Sequence, residues 1–594
     1  MSEPKHLVAV VGAGPAGLYA ANQLAANGLH VVLLNRDVKP GGLAEYGIYH
    51  DKYKMKEGLR KQFRKILANP AIDYFGNVLV GAQTNLSLDV LDALGFQATL
   101  VTVGAQGTKW LGLPGEFLCG VHHAKDLVYH FNKLPPFTER SFDIGKRVAL
   151  IGVGNVMVDI AHWLIHDVQV EEVIALARRG PAETKFSKAE MGAVISNLDK
   201  KALEAEFERV APVMETDGQD VEKAKSFYYT IKPEEGLSPS HTRFIIRFLS
   251  APSAILDGGT GDVDGLEVDE TTLVLREDGT TSAKPSGTKH VLDVDTVIFC
   301  IGDRVDETFG LPVRWNEYVK NPNPRFPIDG LSYEAYDPQT KAPLEGVFVA
   351  GWARKASEGQ VGIARKDGEN GARVLLEYVQ RLPPVRHPED VVERLEQRLR
   401  QSGKPLVTKL DWLRLEKIEK REAAQRGLAE FKFASNEEMF TALGVLMPAR
   451  VRLLLPAETK EWERLRSQLW PACPCETHER EMEDILQDFS QAAVFVSPDP
   501  TGGLQGFLEI SIRAFAEGCE TKRVCYMDGV FVEAGARRKG IGKAIVEAGE
   551  AWARSKGCTE LASDAELDDL NGQFIHKRLG YREVKRLVHF RKEL

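Results

Sequence analysis

Short apolar runs, each bounded by glycine or charge, divide the first part of the chain. His6–Val11, His30–Leu34, Arg147–Ile151, Val173–Ala177 and Val297–Ile301 are apolar segments of strand length. Such segments predict strands buried on both faces, as in a parallel sheet. Pro15–Asn27 predicts a helix after the first strand, and His30–Leu34 predicts the next strand. The order recurs downstream as strand Arg147–Ile151, helix Val156–Ile165 and strand Val173–Ala177. Strands alternating with helices predict an α/β fold. Leu382–Lys420 reads differently. It opens with Pro383, Pro384 and Pro388 and becomes charged and helical over Val391–Arg400 and Leu413–Arg426, predicting a tether and surface helices, some of which belong to the tail of the preceding region. A new pattern starts near Val451-Arg452-Leu453-Leu454, with a strand at Val530–Val532 and a helix at Ala544–Ser555.

Composition narrows the classes. At 594 residues the chain exceeds one core, and roughly three or four domains are expected. Charged residues make up 27% and apolar ones 43%, with a net charge of −9. No basic footprint for nucleic acid is present, and the apolar runs fall far short of a membrane span. The start, Met1-Ser2-Glu3-Pro4-Lys5-His6, runs straight into a strand, so no signal peptide is expected. Seven cysteines without C-x-x-C spacing fit a reducing, cytoplasmic setting. Cys473 and Cys475 form a C-x-C without the second pair that a zinc site needs, so no metal is expected.

Two glycine loops carry the chemistry of the first part. Gly12, Gly14 and Gly17 stand in G-x-G-x-x-G spacing between strand and helix. The first glycine permits the tight turn, the second admits a pyrophosphate, and the third lets helix pack on strand. The helix N-terminus then faces the phosphates. Asn35 ends the second strand where an acid would hold ribose hydroxyls; its amide can accept one hydrogen bond, and Asp37 stands close by. The pattern returns with Gly152, Gly154 and Asn155, followed by Val156. Two such units imply two dinucleotides, a held flavin and a diffusing nicotinamide. At the end of the second strand of this unit stand Arg178-Arg179-Gly180. A guanidinium pair there clamps a 2′-phosphate, which selects NADPH over NADH.

These residues resemble the adrenodoxin reductase-like ferredoxin–NADP reductases, over residues 1 to about 445, with glutamate synthase small subunits as more distant relatives. The resemblance rests on Pro40-Gly41-Gly42-Leu43 through Tyr46-Gly47-Ile48, on Phe75-Gly76-Asn77-Val78 and on Thr102-Val103-Gly104-Ala105. It continues through Gly154-Asn155-Val156 with Asp159, and Arg178-Arg179-Gly180-Pro181. The most specific stretch is Gly346-Val347-Phe348-Val349-Ala350-Gly351-Trp352, then Gly359-Gln360-Val361-Gly362; Asp411-Trp412 to Glu437-Glu438-Met439 resembles the family's tail. The resemblance implies FAD as cofactor, held by Gly12, Gly14, Gly17, Asn35, Gly42, Leu43, Gly104, Gly351, Trp352, Gly359, Val361 and Gly362. NADPH would lie on Gly152, Gly154, Asn155, Val156, Arg178 and Arg179. Backbone N–H groups near Val361 and a helix starting at Ile363 would stabilise negative charge on the reduced ring. The implied layout is two Rossmann-like domains: residues 1–107 with 331–381 for FAD, and 108–330 for NADP. A helical tail and linker spans 382–445.

Without a C-x-x-C disulfide or a four-cysteine cluster site, a thioredoxin reductase cycle and an internal iron–sulfur relay are excluded. A separate ferredoxin-like carrier is the implied acceptor, and Arg243 and Arg247, at i, i+4 on an expected helix near His241, are candidates for docking it. Delivery to a larger partner, as in glutamate synthase, is the alternative.

In the last part, Arg537-Arg538-Lys539-Gly540-Ile541-Gly542-Lys543 follows a strand and opens a helix. Consecutive N–H groups and a helix N-terminus make a pyrophosphate cradle, to which Arg537, Arg538 and Lys543 add charge. With Asn571 through Gly580-Tyr581, this resembles the GNAT acetyltransferases and, within them, the aminoglycoside 6′-N-acetyltransferases. The matching residues are Leu469-Trp470-Pro471, Glu517-Gly518-Cys519, Tyr526-Met527-Asp528-Gly529-Val530, Ala562-Ser563-Asp564 and Phe590-Arg591-Lys592. The resemblance implies a GNAT α/β domain over 446–594 that uses acetyl-CoA and a small-molecule amine, with Arg537, Arg538, Gly540, Gly542 and Lys543 on the cofactor. Amine acetylation needs a proton acceptor and a donor for the leaving thiolate. Asp528 stands where the family usually has glutamate, and is the candidate acceptor. His576 stands at a frequent tyrosine position and is the candidate donor, since histidine titrates near neutrality. Acidic residues at Glu476–Asp488 and Asp564–Asp569 suit a polyamine-like substrate. The alternative is a GNAT module that only binds acyl-CoA.

Overall fold

A computed structural model describes residues 4–276, 281–355, 361–402, 404–445, 451–471, 473–487, 491–499, 502–567, 569–586 and 592. Met1–Glu3, Gly359, Gln360, Asp488, Asp568, Phe590 and Arg591, named above, lie outside the described residues. The chain forms two compact units, Met1–Ser402 with Leu406–Glu438, and Gly403–Pro405 with Met439–Leu594.

The first unit begins with strands Leu7–Val11 (β1), His30–Asn35 (β2), Ile72–Gly76 (β3) and Ala98–Val101 (β4). It crosses to a second sheet of Val121–His123 (β5), Arg147–Ile151 (β6), Glu172–Leu176 (β7), Arg243–Arg247 (β8) and Thr296–Phe299 (β9). It then returns with Glu334–Asp337 (β10), Ala342–Val349 (β11) and Val407–Thr408 (β12). The first sheet runs β10-β11-β4-β1-β2-β3-β12 and the second β5-β9-β6-β7-β8. The second sheet is wholly parallel; the first is parallel except at its two edge strands. Central strands buried on both faces explain the uninterrupted apolar runs. Both glycine loops leave the C-terminal end of a central strand, where open α/β sheets place their ligands.

Helices Pro15–Ala26 (α1), Asn155–His162 (α2) and Val361–Val379 (α3) position those loops. The second helix passes into a π-helical turn over Trp163–Val168. The third lies close on α1 because Gly368 has no Cβ, which would strike the Ala16 backbone.

Two expectations change. Arg243 and Arg247 lie on the edge strand β8, not on a helix. The intervening Phe244 and Ile246 are buried with a period of two, and β-branched and aromatic residues favour that pleat. The Arg243 guanidinium is held by Glu172 and Asp199, both at 2.7 Å. The stretch read as a tether with surface helices, some of them part of the tail, folds into this unit over both of its helices. Helix Pro388–Gln401 buries Val391, Leu395 and Leu399, β12 extends the first sheet antiparallel to β3, and Lys409–Arg426 buries Trp412 and Leu415. A capping box between Thr408 and Asp411 starts that last helix. Its Glu419 bonds the buried Lys39 at 2.6 Å, and Lys39 also meets Glu45 at 3.2 Å. Burial pushes the Glu45 carboxyl up, but Lys39, Lys432 and Arg60 together hold it well below the usual range. This buried ionic network fastens the Gly41–Tyr46 loop to the tail.

The second unit is one sheet, ordered Arg452–Leu453 (β13), Ala492–Pro498 (β14), Leu504–Arg513 (β15), Val524–Val532 (β16) and Leu561–Ala562 (β17). Every neighbouring pair is antiparallel except β16 with β17. Helix Thr459–Leu469 (α4) covers one face around Trp462 and Phe507. Helix Ile541–Ser555 (α5) covers the other around Leu508, Ile510 and Ile545. Helix Leu570–Arg578 (α6) follows β17.

Candidate functional site

In the first unit both glycine loops open into one cleft of about 1900 Å³. Gly12 has φ of +106°, and a Cβ there would sit 2.6 Å from the Thr102 carbonyl oxygen, so only glycine makes this turn. Gly14 is different: nothing lies within 4 Å of a Cβ there, which is open space on the cleft side. The second loop repeats the division, with Gly152 at φ +117° against the Cys300 carbonyl at 2.6 Å and Gly154 open. Neither α1 nor α2 has a side-chain cap or an acidic residue in its first turn. Helix starts usually attract carboxylates; their absence at both leaves the N–H groups and the helix dipole for a phosphate. The residues present therefore fit a dinucleotide at each loop.

The cleft is lined by Gly42, Leu43, Gly104, Trp352, Val361 and Gly362 of the expected flavin set. Gly351 stands beside them at φ +67°, its N–H donating to Asp367 at 2.6 Å. Asn35 lines the cleft, but its amide serves the loop itself. Its Oδ1 accepts from Ala13 N–H at 3.0 Å, and its Nδ2 donates to the carbonyls of Asp37 and Lys39 at 2.9 and 3.0 Å. Asparagine here is thus an organiser of the turn. On the nicotinamide side Asn155, Val156, Arg178 and Arg179 line the cleft. Asn155 Oδ1 accepts from Ser187 N–H at 3.0 Å. The Arg178 and Arg179 carbonyls are pinned by Thr271 Oγ1 at 2.7 Å and Leu249 N–H at 3.1 Å.

Several cleft residues escaped the reading of site roles. Asp159 on α2 is pushed up to about 7 by burial, despite Lys52. Lys52 pairs with Glu190, joining the loop after β2 to the nicotinamide half. His123, Lys125 and Asp303 form a second group, in which burial pushes Asp303 up to about 6 and His123 down to about 4. Only the Asp159 position had a signal in the sequence, its spacing after Gly154-Asn155; the others are far apart along the chain.

In the second unit the pairing of β15 with β16 slips. Glu509 faces Gly529 and Ile510 faces Met527, so Asp528 is an extra, bulged residue. Bulges re-aim side chains and recur beside active sites. The Asp528 carboxyl is raised by burial, against the pull of Ser511 and Arg513, and Arg513 is its ion-pair partner. Trp470 lies against Gly529, where a Cβ would overlap its ring. Behind it Glu509 is 2% exposed, accepts from Trp462 Nε1 at 2.8 Å and is pushed up to about 7 by burial.

Beyond Asp528, β16 leads to the basic loop. Gly540 at φ +78° caps α5, which again has no side-chain cap and no acid in its first turn. Arg537, Arg538 and Lys543 are exposed around it; Arg537 Nε donates to Val532 O at 2.8 Å, and Lys543 lies 3.9 Å from Glu547. Gly542 sits in the first turn with only ordinary contact to Val532. β16 and β17 pair at two positions alone, Cys525 with Leu561 and Tyr526 with Ala562, and then part. His576 approaches this fork from α6: its Nε2 lies 3.0 Å from Ser563 Oγ and its Nδ1 2.7 Å from Gly572 O. Asp528 and His576, 48 residues apart by number, thus flank one fork.

Comparison with known proteins divides the chain the same way. Residues 6–229 match the pyridine nucleotide-disulphide oxidoreductase family, and residues 462–581 match the acetyltransferase (GNAT) family. NADPH-ferredoxin reductase FprA of Mycobacterium leprae is 29% identical over 469 residues, covering 73% of this chain and 97% of that protein. The structure of Mycobacterium tuberculosis FprA in complex with NADPH matches with a TM-score of 0.59 and 26% identity, over 74% of this chain and 99% of that one. Aminoglycoside N(6′)-acetyltransferase type 1 of Klebsiella aerogenes is 40% identical over 147 residues, covering 24% of this chain and 97% of that protein.

Proposed function

Since the chain belongs to the FprA and adrenodoxin reductase-like pyridine nucleotide oxidoreductases through its first unit, and to the GNAT acetyltransferases of aminoglycoside 6′ type through its second, we propose that it is a bifunctional enzyme. One activity is NADPH oxidation with transfer of electrons to a ferredoxin-like carrier; the other is acetyl transfer from acetyl-CoA to a primary amine of an amino sugar. The observation that carries the first is the pair of uncapped, acid-free helix starts facing one cleft. Bound FAD supplies the chemistry of accepting hydride from NADPH and releasing single electrons. The chain holds each pyrophosphate on backbone N–H groups at Gly14 and Gly154. Arg178 and Arg179 take the 2′-phosphate.

In the second unit the basic loop before α5 holds the CoA pyrophosphate. The amine arrives against Trp470 and Asp528, and the raised, bulged Asp528 carboxylate accepts its proton during attack on the thioester. Tyr526 donates to Asp564 at 2.8 Å and also feels the charge of Asp528, and the two carboxyls favour a polycationic acceptor.

Purified protein is expected to be yellow with FAD, to oxidise NADPH in the presence of a ferredoxin, and to release CoA thiol from acetyl-CoA when kanamycin A is added. A colourless preparation that gains no NADPH oxidation on adding FAD would sink the first activity. Acetyl-CoA binding without thiol release across a panel of amines would sink the second.

A further inference from the structure

The first step of acetyl transfer has a base in Asp528; the second, expulsion of the thiolate, needs an acid at the same place. The sheet places the Ser563 hydroxyl on the far side of the Asp528 peptide from the carboxylate's own partners, Ser511 and Arg513. Ser563 is the residue directly after β17, at the point where β16 and β17 stop pairing. Its Oγ spans the gap to the Met527 carbonyl at 3.2 Å, the peptide that joins Met527 to Asp528. A thioester placed for attack beside Asp528 therefore lies beside this hydroxyl. His576 stands behind it with Nε2 3.0 Å from Oγ. The other ring nitrogen fixes the tautomer: Gly572 O can only accept, so Nδ1 at 2.7 Å carries a hydrogen. Nε2 is consequently the nitrogen that faces the fork, and its partner is Ser563. The ring is further held edge-on by Tyr581 at 5.4 Å. His576 thus reaches the fork through a hydroxyl, with Ser563 standing between its ring and the peptide of Asp528.

Building on the acetyltransferase reading above, we propose that Ser563 is a catalytic residue that hands its hydroxyl proton to the departing thiolate, with His576 replacing that proton from Nε2. The amine nitrogen forms a bond to the acetyl carbonyl carbon, and its surplus proton passes to the Asp528 carboxylate. The carbon–sulfur bond breaks, leaving its electron pair on sulfur. Sulfur takes the Ser563 proton while Oγ takes the Nε2 proton of the imidazolium, leaving His576 neutral until solvent reprotonates it. No oxidant or further reactant enters the balance.

The test uses full-length protein with acetyl-CoA and kanamycin A, reading thiol release. Ser563→Ala is expected to lower kcat roughly a hundredfold, as loss of a general acid does, with KM for acetyl-CoA within about twofold. Ser563→Thr, which keeps the hydroxyl, is expected to recover most of the rate. His576→Gln combined with Ser563→Ala is expected to be no slower than the slower single variant, because both act on one proton. Thermal melts of the variants show whether each is folded. A Ser563→Ala enzyme within twofold of wild type in kcat would overturn the relay, as would multiplicative losses in the double variant or failure of the folded Ser563→Thr protein to recover. Wild-type protein that releases no thiol would instead overturn the transferase reading and take the relay with it.

Discussion

The glycine loops of the first unit and the basic loop of the second meet the same demand with different materials. At Gly12–Gly17 and Gly152–Asn155 no cationic side chain is present; the loops are shaped by buried contact with Thr102 and Cys300, and the phosphate is left to backbone N–H groups and helix dipole. Ahead of α5 the exposed loop carries Arg537, Arg538 and Lys539, and Lys543 follows in the helix's first turn. Arg538 itself takes φ of +62°, left-handed backbone in a residue other than glycine. A loop wedged between strand and helix gains its precision from packing and tolerates no added atom at Gly12 or Gly152. A loop at the surface gains its hold from charge, which works at a distance but is screened by salt. Arg178 and Arg179 combine the two, since their backbone is pinned while their side chains line the cleft.

The sharpest way to break this contrast is Gly12→Ala. A Cβ at φ +106° lodged against the Thr102 carbonyl should destabilise the first unit by roughly 3 kcal/mol or more. The purified protein should lose its flavin absorbance while thiol release by the second unit is kept. Replacing Arg178 and Arg179 together by alanine should raise KM for NADPH roughly ten- to hundredfold, at about 1.5–3 kcal/mol for charged hydrogen bonds. The KM for NADH should change little, and equal losses for both would remove the 2′-phosphate clamp. Arg537→Ala with Arg538→Ala should raise KM for acetyl-CoA by about tenfold. That penalty should shrink as salt rises, whereas Gly12→Ala should be indifferent to salt.

The smallest expected effect concerns pH. The Asp159 carboxyl titrates near 7 in the folded protein because it is buried, against an ordinary value of 3.8. Between those values the folded form binds a proton that the unfolded chain has released, so stability falls as pH rises from about 4 to about 7. Asp159→Asn should flatten that fall, sparing about 2–4 °C of Tm at the alkaline end of the window. A Tm profile unchanged by the substitution would show that the carboxyl is not held in its neutral form.

Much of this is legible in the order of residues alone. The strand–glycine loop–helix order at Gly12 and Gly152 names its own geometry, because the residue types that permit a tight turn and open approach are few. The second unit was legible for the same reason at Gly540 and Gly542. Arg243 and Arg247 show where such reading ends. Their i, i+4 spacing suits a helix face, yet i, i+2, i+4 is also one face of a strand, and only pairing with β7 selects between them. The tail shows the same limit, for charge over Leu413–Arg426 suggested a solvated surface, whereas Glu419 is buried against Lys39.

By itself, the sequence determined the repeated strand–loop–helix units, the three helix starts fit for phosphates and the arginine pair, since these depend on neighbours along the chain. Only the tertiary structure decided that Asn35 spends its amide on its own loop, that Asp528 is thrust out by a bulge, and that His576 meets Ser563. Those are contacts between segments distant in sequence, and their strength comes from burial and register, which no local spacing encodes.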